Sequence, residues 1–267
     1  MHEHLYTPPR EAVPRRRLCL AADVEQYSRL DTRAQSAVQA DLVRALDEAA
    51  TLTGLERAEW ARQPQGDQEF AVLPKATPEA TVLGPFVHHL AARLAVLNSR
   101  RTTTTCMRVR LAVDSGVVAD AALGHAGPAP VAVARFVNAP QLKAALAAVL
   151  STDLAVIVSD RLYQDVVRLG SNDLDPGQYV RVHIRVKEFG GYGWIHVPGH
   201  SPEEVCPPVE GADGPERAPA TFLLGPETGL ALFQYVHEGV AVGRDVTGGV
   251  AVGLPPHMHS GGRGRIR

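Results

Sequence analysis

Two hydrophobic periods alternate along the first 199 residues. Leu18 to Ala22 is a short apolar run ending at Asp23, the pattern of a buried strand. From Asp31 to Leu52, the residues Ala34, Val38, Leu42, Ala45, Leu46 and Ala49 recur at helical spacing. Asp31 or Thr32 can cap that helix and Gly54 ends it. Two short strands flank the turn Gln65-Gly66-Asp67, and Pro74 closes the second. A helix from about Glu79 to Asn98 carries Val82, Phe86, Leu90, Leu94 and Leu97 on one face. Gly84-Pro85 predicts an irregular first turn there. Met107, Val109, Leu111 and Val113 alternate with Arg108 and Arg110 as a strand. Ala132 to Leu150 reads as helical in its second half, Leu154 to Val158 as a buried strand, and Asp160 to Leu169 as a short helix. Val180, Val182, Ile184 and Val186 alternate with Arg181, His183, Arg185 and Lys187. Gly190-Gly191 then turns the chain into Trp194 to Val197, a hairpin with a longer loop.

The element order contains βαββαβ, which predicts an α+β fold, an α/β sandwich of ferredoxin-like type. Its sheet is antiparallel, with helices on one face, and an extra C-terminal helix and β-hairpin follow. Residues 1–16 hold Pro8, Pro9 and Pro14 and read as an irregular arm before a domain at 17–199. Residues 200–219 are rich in Pro, Gly and Glu and read as a linker. The remainder, 220–267, is a separate unit or a tail.

Composition narrows the function classes. A formal charge of -2 gives no basic face for nucleic acid. The run Arg15-Arg16-Arg17 is short and reads as the solvated start of the first strand. Cys19, Cys106 and Cys206 form no CxxC and no Cys/His cluster, so neither a zinc site nor a disulfide framework is expected. No signal-peptide pattern is visible and no apolar run approaches the ~20 residues that span a bilayer. The expectation is a cytoplasmic protein with no membrane and no nucleic-acid partner. His88-His89 point in different directions on a helix, and His257 and His259 lie in a Gly/Pro-rich tail. Ser115-Gly116 lacks the glycine of a nucleophile elbow. Arg181, Arg185 and Lys187 read as a solvated strand face.

The candidate chemistry lies elsewhere. Asp23 ends a central strand, and Asp67 sits in a hairpin whose strand lies beside it in a ferredoxin-like order. Each alone is ordinary strand-end or turn chemistry. Together they form a carboxylate pair suited to Mg²⁺, which takes one or two carboxylates plus phosphate oxygens. Val24, Glu25, Gln26, Tyr27 and Ser28 turn the chain into a helix there, and free backbone amides at such a turn can receive a triphosphate.

Six segments in this order resemble the catalytic domain of class III nucleotidyl cyclases, over about residues 15–199. They are "LCLAADVEQYSRL" (18–30), "QPQGDQEFAVL" (63–73), "MRVRLAVDSGVV" (107–118), "VARFVNAPQL" (133–142), "IVSDRLYQDV" and "IRVKEFGGYGWIHV". The resemblance implies a two-ion Mg²⁺ or Mn²⁺ site on Asp23 and Asp67 and a nucleoside triphosphate substrate. It also implies a head-to-tail homodimer in which a second chain supplies Asn138. The family's base-reading Lys or Glu falls on Gln63, and its acidic partner on Val131. The Arg expected four residues after Asn138 is Leu142, with Lys143 one residue further, and the expected Gly three after Asp23 is Gln26. The metal half of the site is present and the partner-supplied half is largely missing. The expectation is a degenerate homologue that binds a nucleotide, the alternative being an active cyclase with altered base choice.

In the tail, "VHEGVAVGRDVTGGVAVG" (236–253) repeats Val-Ala-Val-Gly around glycine turns. It suits a β-hairpin or a stackable cross-β segment. It resembles the short amyloid-like signalling motifs of bacterial immune and cell-death systems, which implies a protein partner recruited by strand addition. A disordered tail, or a hairpin packed on the first domain, is the other reading.

Overall fold

The computed structural model describes residues 13–101, 106–170 and 174–205. The tail, and all but the start of the linker, lie outside these residues. Strand β1 (Arg15–Val24) occupies the middle of the sheet. Helix α1 (Thr32–Leu52) follows, capped by Asp31, whose carboxylate accepts from the Ala34 amide at 2.8 Å. The hairpin β2 (Ala61–Gln65) and β3 (Gln68–Val72) turns on Gly66-Asp67, with Gly66 at φ +70. A rod from Glu79 to Asn98 comes next: α2 (Glu79–Thr81), a π-turn (Val82–Phe86) and α3 (Val87–Asn98). Strand β4 (Val109–Ala121) returns beside β1.

These four strands stand in the order β2-β3-β1-β4, the ferredoxin-like arrangement expected from the sequence. The sheet continues through β6 (Leu154–Ser159), β8 (Phe189–His196) and β7 (Val180–Val186), with β6 parallel to β4. A small strand, β5 (Gly124–Ala126), folds back on the end of β4. Helices α4 (Pro128–Val137), α5 (Pro140–Ala148), α6 (Asp160–Asp165) and α7 (Pro202–Val205) complete the described elements.

Helices lie on both faces, not one. The first core joins Val38, Leu42 and Leu46 of α1 and Phe86, Leu90 and Leu94 of the rod to Leu20, Ala22, Leu111 and Val113. The second joins Val133, Phe136, Leu142 and Leu146 of α4 and α5 to Cys19, Ala21, Ala112 and Ile157. The two faces of each strand therefore alternate between two cores, and the sheet centre is buried throughout. The sequence reading missed the first half of the α4–α5 region because Pro128 and Pro130 look like breakers. They stand in the first turn, where no amide is needed. It also missed β5, which is only three residues long. The β7–β8 turn falls at Lys187-Glu188 rather than at Gly190-Gly191. Lys187 takes the positive φ (+56) that such a tight turn needs, so β8 starts at Phe189. Strand β1 begins at Arg15, inside the stretch read as an arm, and Arg16 lies 3.9 Å from Asp165. The rod is long and apolar enough, by length and composition alone, to cross a membrane, unlike what the sequence scan suggested. It carries Arg93, paired with Glu48 of α1, and packs its Leu90 and Leu94 into the first core.

A buried ion network fixes the β2–β3 hairpin. Arg57 is 6% exposed and donates to both carboxylate oxygens of Glu69, itself 6% exposed, with Nη2 to Oε2 at 3.0 Å. Its Nε donates to Asp47 of α1, and its guanidinium lies 5.4 Å from the Trp60 ring centre. Glu69 is two residues from Asp67, so this network holds the hairpin tip in place against α1. Removing one partner strands the other charge in the core. Arg57→Ala should lower the unfolding free energy by about 3–5 kcal/mol in urea titration, and Arg57→Met with Glu69→Leu should recover most of that. A single-variant loss below about 1 kcal/mol would contradict a buried, paired Arg57.

Candidate functional site

Asp23 is the penultimate residue of β1, where it faces Gln68 of β3 on one side and Arg110 of β4 on the other. The next residue ties the hairpin in, since the Val24 amide donates to the Asp67 carbonyl at 3.0 Å. The two carboxylates expected to converge are thus brought to one end of the sheet. Asp23 is 6% exposed and Asp67 is half-buried.

One site residue was not anticipated. Arg110 is 8% exposed, and its Nη2 donates to Asp23 Oδ2 across the β1–β4 pair. Its Nε is buried with no partner in the described residues. The sequence placed Arg108 and Arg110 on the polar side of an alternating strand and gave them no role. Because α4 and α5 cover that side, both arginines turn inward. Arg108 donates to Glu25 at 3.0 Å, to the carbonyl of Thr152 at 3.1 Å and to that of Val149 at 2.9 Å. It also reaches the Leu146 carbonyl, a cation at the open C-terminal end of α5. The available signal was an arginine directly before the fully apolar stretch Leu111–Val113.

The electrostatics follow from this packing. Burial pushes the Asp23 carboxyl above its ordinary value. The Arg110 charge and hydrogen bond oppose that shift, the Asp67 carboxylate adds to it, and Lys143 opposes it weakly. Lys143, exposed on α5, is therefore within electrostatic reach of Asp23 of its own chain. Leu142, at the position where the resemblance implies an arginine, is fully buried in the second core. A shift of α5 that moved Lys143 into its place would pull Leu142 out of the core.

Several expected nucleotide contacts are engaged within the chain. The amides of Val24 and Glu25 donate to the carbonyls of Asp67 and Arg108, at 3.0 and 2.8 Å, so neither is free for phosphate. Gln26 precedes the 3-10 turn Tyr27–Arg29 in a left-handed conformation, φ +57, and its side chain accepts from Arg29 at 2.9 Å. A glycine takes that conformation freely, whereas Gln26 carries about 1 kcal/mol of strain. Ser28 is exposed beside it and Tyr27 packs against the first core. Gln63, at the base-reading position, donates its amide to the Leu123 carbonyl at 3.1 Å. Its amide is packed so tightly on Gly124 that a Cβ there would fall 1.4 Å from Nε2. Val131 is exposed on the first turn of α4. Asn138 ends α4, exposed, with its amide on the Ala134 carbonyl at 3.2 Å. The structure brings Asp23, Asp67, Arg110 and Lys143 together, and leaves Asn138 outside that group.

The donor set fits a divalent ion only in part. No group of three or more His, Cys, Asp or Glu side chains among the described residues is arranged to hold a metal. Asp67 and the Asp23 oxygen not taken by Arg110 remain, which suits an ion that draws its other ligands from phosphate and water. The raised Asp23 carboxyl is testable without any ligand. Because the folded carboxyl keeps its proton to higher pH than the unfolded chain, it favours the fold below about pH 3.9. That contribution is lost as pH rises through the folded value. In a ¹³C titration Asp23 should titrate above ~3.9, with Asp67→Asn bringing it down and Arg110→Met pushing it further up. A wild-type Asp23 that titrates below a free aspartate would contradict the assigned burial.

No family model matches the sequence, and no curated protein matches it. Solved structures do. An adenylate/guanylate cyclase/hydrolase from Silicibacter pomeroyi aligns at a TM-score of 0.52 and 18% identity, covering 71% of this chain and all of that one. The guanylyl cyclase Cya2 aligns at 0.49 and 12%, covering 70% and 92%. The guanylate cyclase domain from Catenaria anguillulae, solved with GTP, aligns at 0.45 and 16%, covering 70% and 98%. The first of these extends over the whole of the neighbouring chain. The described residues therefore carry the α+β fold seen in a solved adenylate/guanylate cyclase domain.

Proposed function

We propose that this domain binds a nucleoside triphosphate together with Mg²⁺ or Mn²⁺ and converts it slowly or not at all, acting as a signalling pseudoenzyme. The observation that carries this reading is the convergence of Asp23, Asp67 and Arg110 at one sheet end. The lack of the other half of the site supports low turnover. Asp67 and the free oxygen of Asp23 would hold the ion. When bound, such an ion polarises phosphate oxygens and lowers the pKa of a coordinated hydroxyl.

The chain's own residues do the rest. Arg110 balances the Asp23 charge, which makes a buried carboxylate tolerable. A triphosphate offers that guanidinium better acceptors, and the unpartnered Nε is a donor already in place. Moving Arg110 onto phosphate frees Asp23 for the ion, so nucleotide and ion arrive together. Gln63 is held by the β4–β5 turn and reads no base from that position. Leu142 supplies no charge to the reacting phosphorus. A homodimer would bring Asn138 from a second chain to order the ribose.

The second reading, an active cyclase with altered base choice, has one observation in its favour: Lys143 places a cation near Asp23 in the same chain. Incubation with each of the four triphosphates and Mn²⁺, read as pyrophosphate and cyclic nucleotide, separates the two. The expected result is nucleotide binding abolished by Asp23→Ala, with turnover about 10²–10³ below a complete site. Absence of any nucleotide binding overturns the proposal, and vigorous turnover favours the second reading. The repeat at 236–253 supports recruitment of a protein partner in the cytoplasm of a bacterial conflict system. Deleting 220–267 should leave the melting temperature of the head unchanged and abolish that recruitment in a pull-down, whereas retained recruitment would remove the tail from the account.

A further inference from the structure

On the face of the second core, the side chains of β3, β1 and β4 stand in rows. One row is apolar: Phe70, Ala21 and Ala112 lie side by side, and all three are buried. The next row toward the sheet end is polar: Gln68, Asp23 and Arg110. Period two puts these three on one face. The backbone pattern brings Gln68 close to Asp23. The Val24 amide donates to the Asp67 carbonyl, so those two residues form a hydrogen-bonded pair. Bonded and non-bonded pairs alternate in an antiparallel ladder. Asp23 and Gln68 are therefore a non-bonded pair, the closer kind, with Cα atoms about 4.5 Å apart.

Gln68 follows Asp67 directly and is half-buried. Other glutamine side chains of this part of the chain are engaged: Gln63 on the Leu123 carbonyl, Gln26 with Arg29, Gln35 on the Leu30 carbonyl and Gln39 on the Tyr27 hydroxyl. The Gln68 amide has no hydrogen bond of this kind among the described residues. On the other side of Asp23, the buried Arg110 guanidinium keeps its Nε without a partner among the described residues. One carboxylate is thus flanked by a buried donor with nothing to bond and by an open amide. Buried polar groups are normally satisfied, so this row has the character of a site that a ligand completes.

Asp67 and one oxygen of Asp23 give a divalent ion only two protein ligands. Mg²⁺ and Mn²⁺ take oxygen donors, and an amide oxygen serves them without adding charge. We infer that Gln68 is a third protein ligand of the ion, through Oε1, beside Asp23 and Asp67. This assignment rests on the proposed ion-and-nucleotide function and adds a residue to it. The neutrality of Gln68 is its contribution. Asp23 and Asp67 already face Arg110 and Lys143. A third carboxylate would tip that balance and hold the ion unaided. A glutamine supplies the oxygen and leaves the ion dependent on phosphate, so ion binding is conditional on the nucleotide.

Electron paramagnetic resonance of free Mn²⁺ tests this on the full chain, with and without a non-hydrolysable triphosphate. Gln68→Leu removes the oxygen, whereas Gln68→Glu keeps it and adds charge. With the triphosphate, Gln68→Leu should bind Mn²⁺ about tenfold more weakly than wild type. Without it, Gln68→Glu should bind Mn²⁺ about tenfold more tightly than wild type. Both variants should melt with wild type, because position 68 is only half-buried. Unchanged Mn²⁺ affinity in Gln68→Leu, or no gain in Gln68→Glu, overturns the inference and leaves the nucleotide reading standing. Loss of triphosphate binding in Gln68→Glu would put the amide on phosphate and overturn it as well. A wild type that binds no triphosphate overturns the nucleotide reading instead, and the Mn²⁺ affinity of Gln68→Glu alone then decides whether position 68 faces the ion.

Discussion

Asp23 stands opposite Gln68 on one neighbour and opposite Arg110 on the other, and this double register is the constraint on which the site depends. Side chains alternate between faces with period two. A slip of one residue in either pairing would turn Asp23 into the first core, against Leu20 and Leu111. The two cores oppose that slip, because each β1 side chain packs in the core on its own face and would be carried into the other one. The carboxylate is thus placed by hydrophobic packing and only then compensated by Arg110. Its partner Asp67 is placed by a separate device, the two-residue turn at Gly66-Asp67 and the Arg57–Glu69–Asp47 network behind it.

Charge compensation within the chain distinguishes this site from an open pair of carboxylates. Two negative groups face one buried guanidinium and the nearby Lys143. These charges nearly cancel, so under the proposal a lone divalent ion would be attracted only weakly. In the proposed function a triphosphate would change that balance by giving Arg110 another acceptor and bringing ligands for the ion. Gln63, where the resemblance implies base reading, instead latches the β2–β3 hairpin onto the β4–β5 turn.

Much of the fold was legible because its signals were local. Helix α1 announced itself by apolar spacing, Asp31 and Gly54, and the first hairpin by Gln65-Gly66-Asp67 between alternating residues. The order of elements then implied that Asp23 and Asp67 meet. What was not legible depended on long-range cover. Arg110 drew no notice because nothing local says that α4 and α5 lie over its face. Engagement of the Val24 and Glu25 amides required partners 43 and 83 residues away, at Asp67 and Arg108. The β7–β8 turn was misplaced because glycines suggested a bend, while Lys187 adopts the positive φ instead.

The central claim is that Asp23, Asp67 and Arg110 form one site that takes a nucleotide and a divalent ion together. Crystals grown with Mn²⁺ and a non-hydrolysable triphosphate test it directly by anomalous diffraction. The account predicts a manganese peak bridging Asp23 and Asp67, with the Arg110 guanidinium on phosphate oxygens rather than on Asp23. A nucleotide bound elsewhere, or an Asp23 still paired with Arg110 and without manganese, would contradict it.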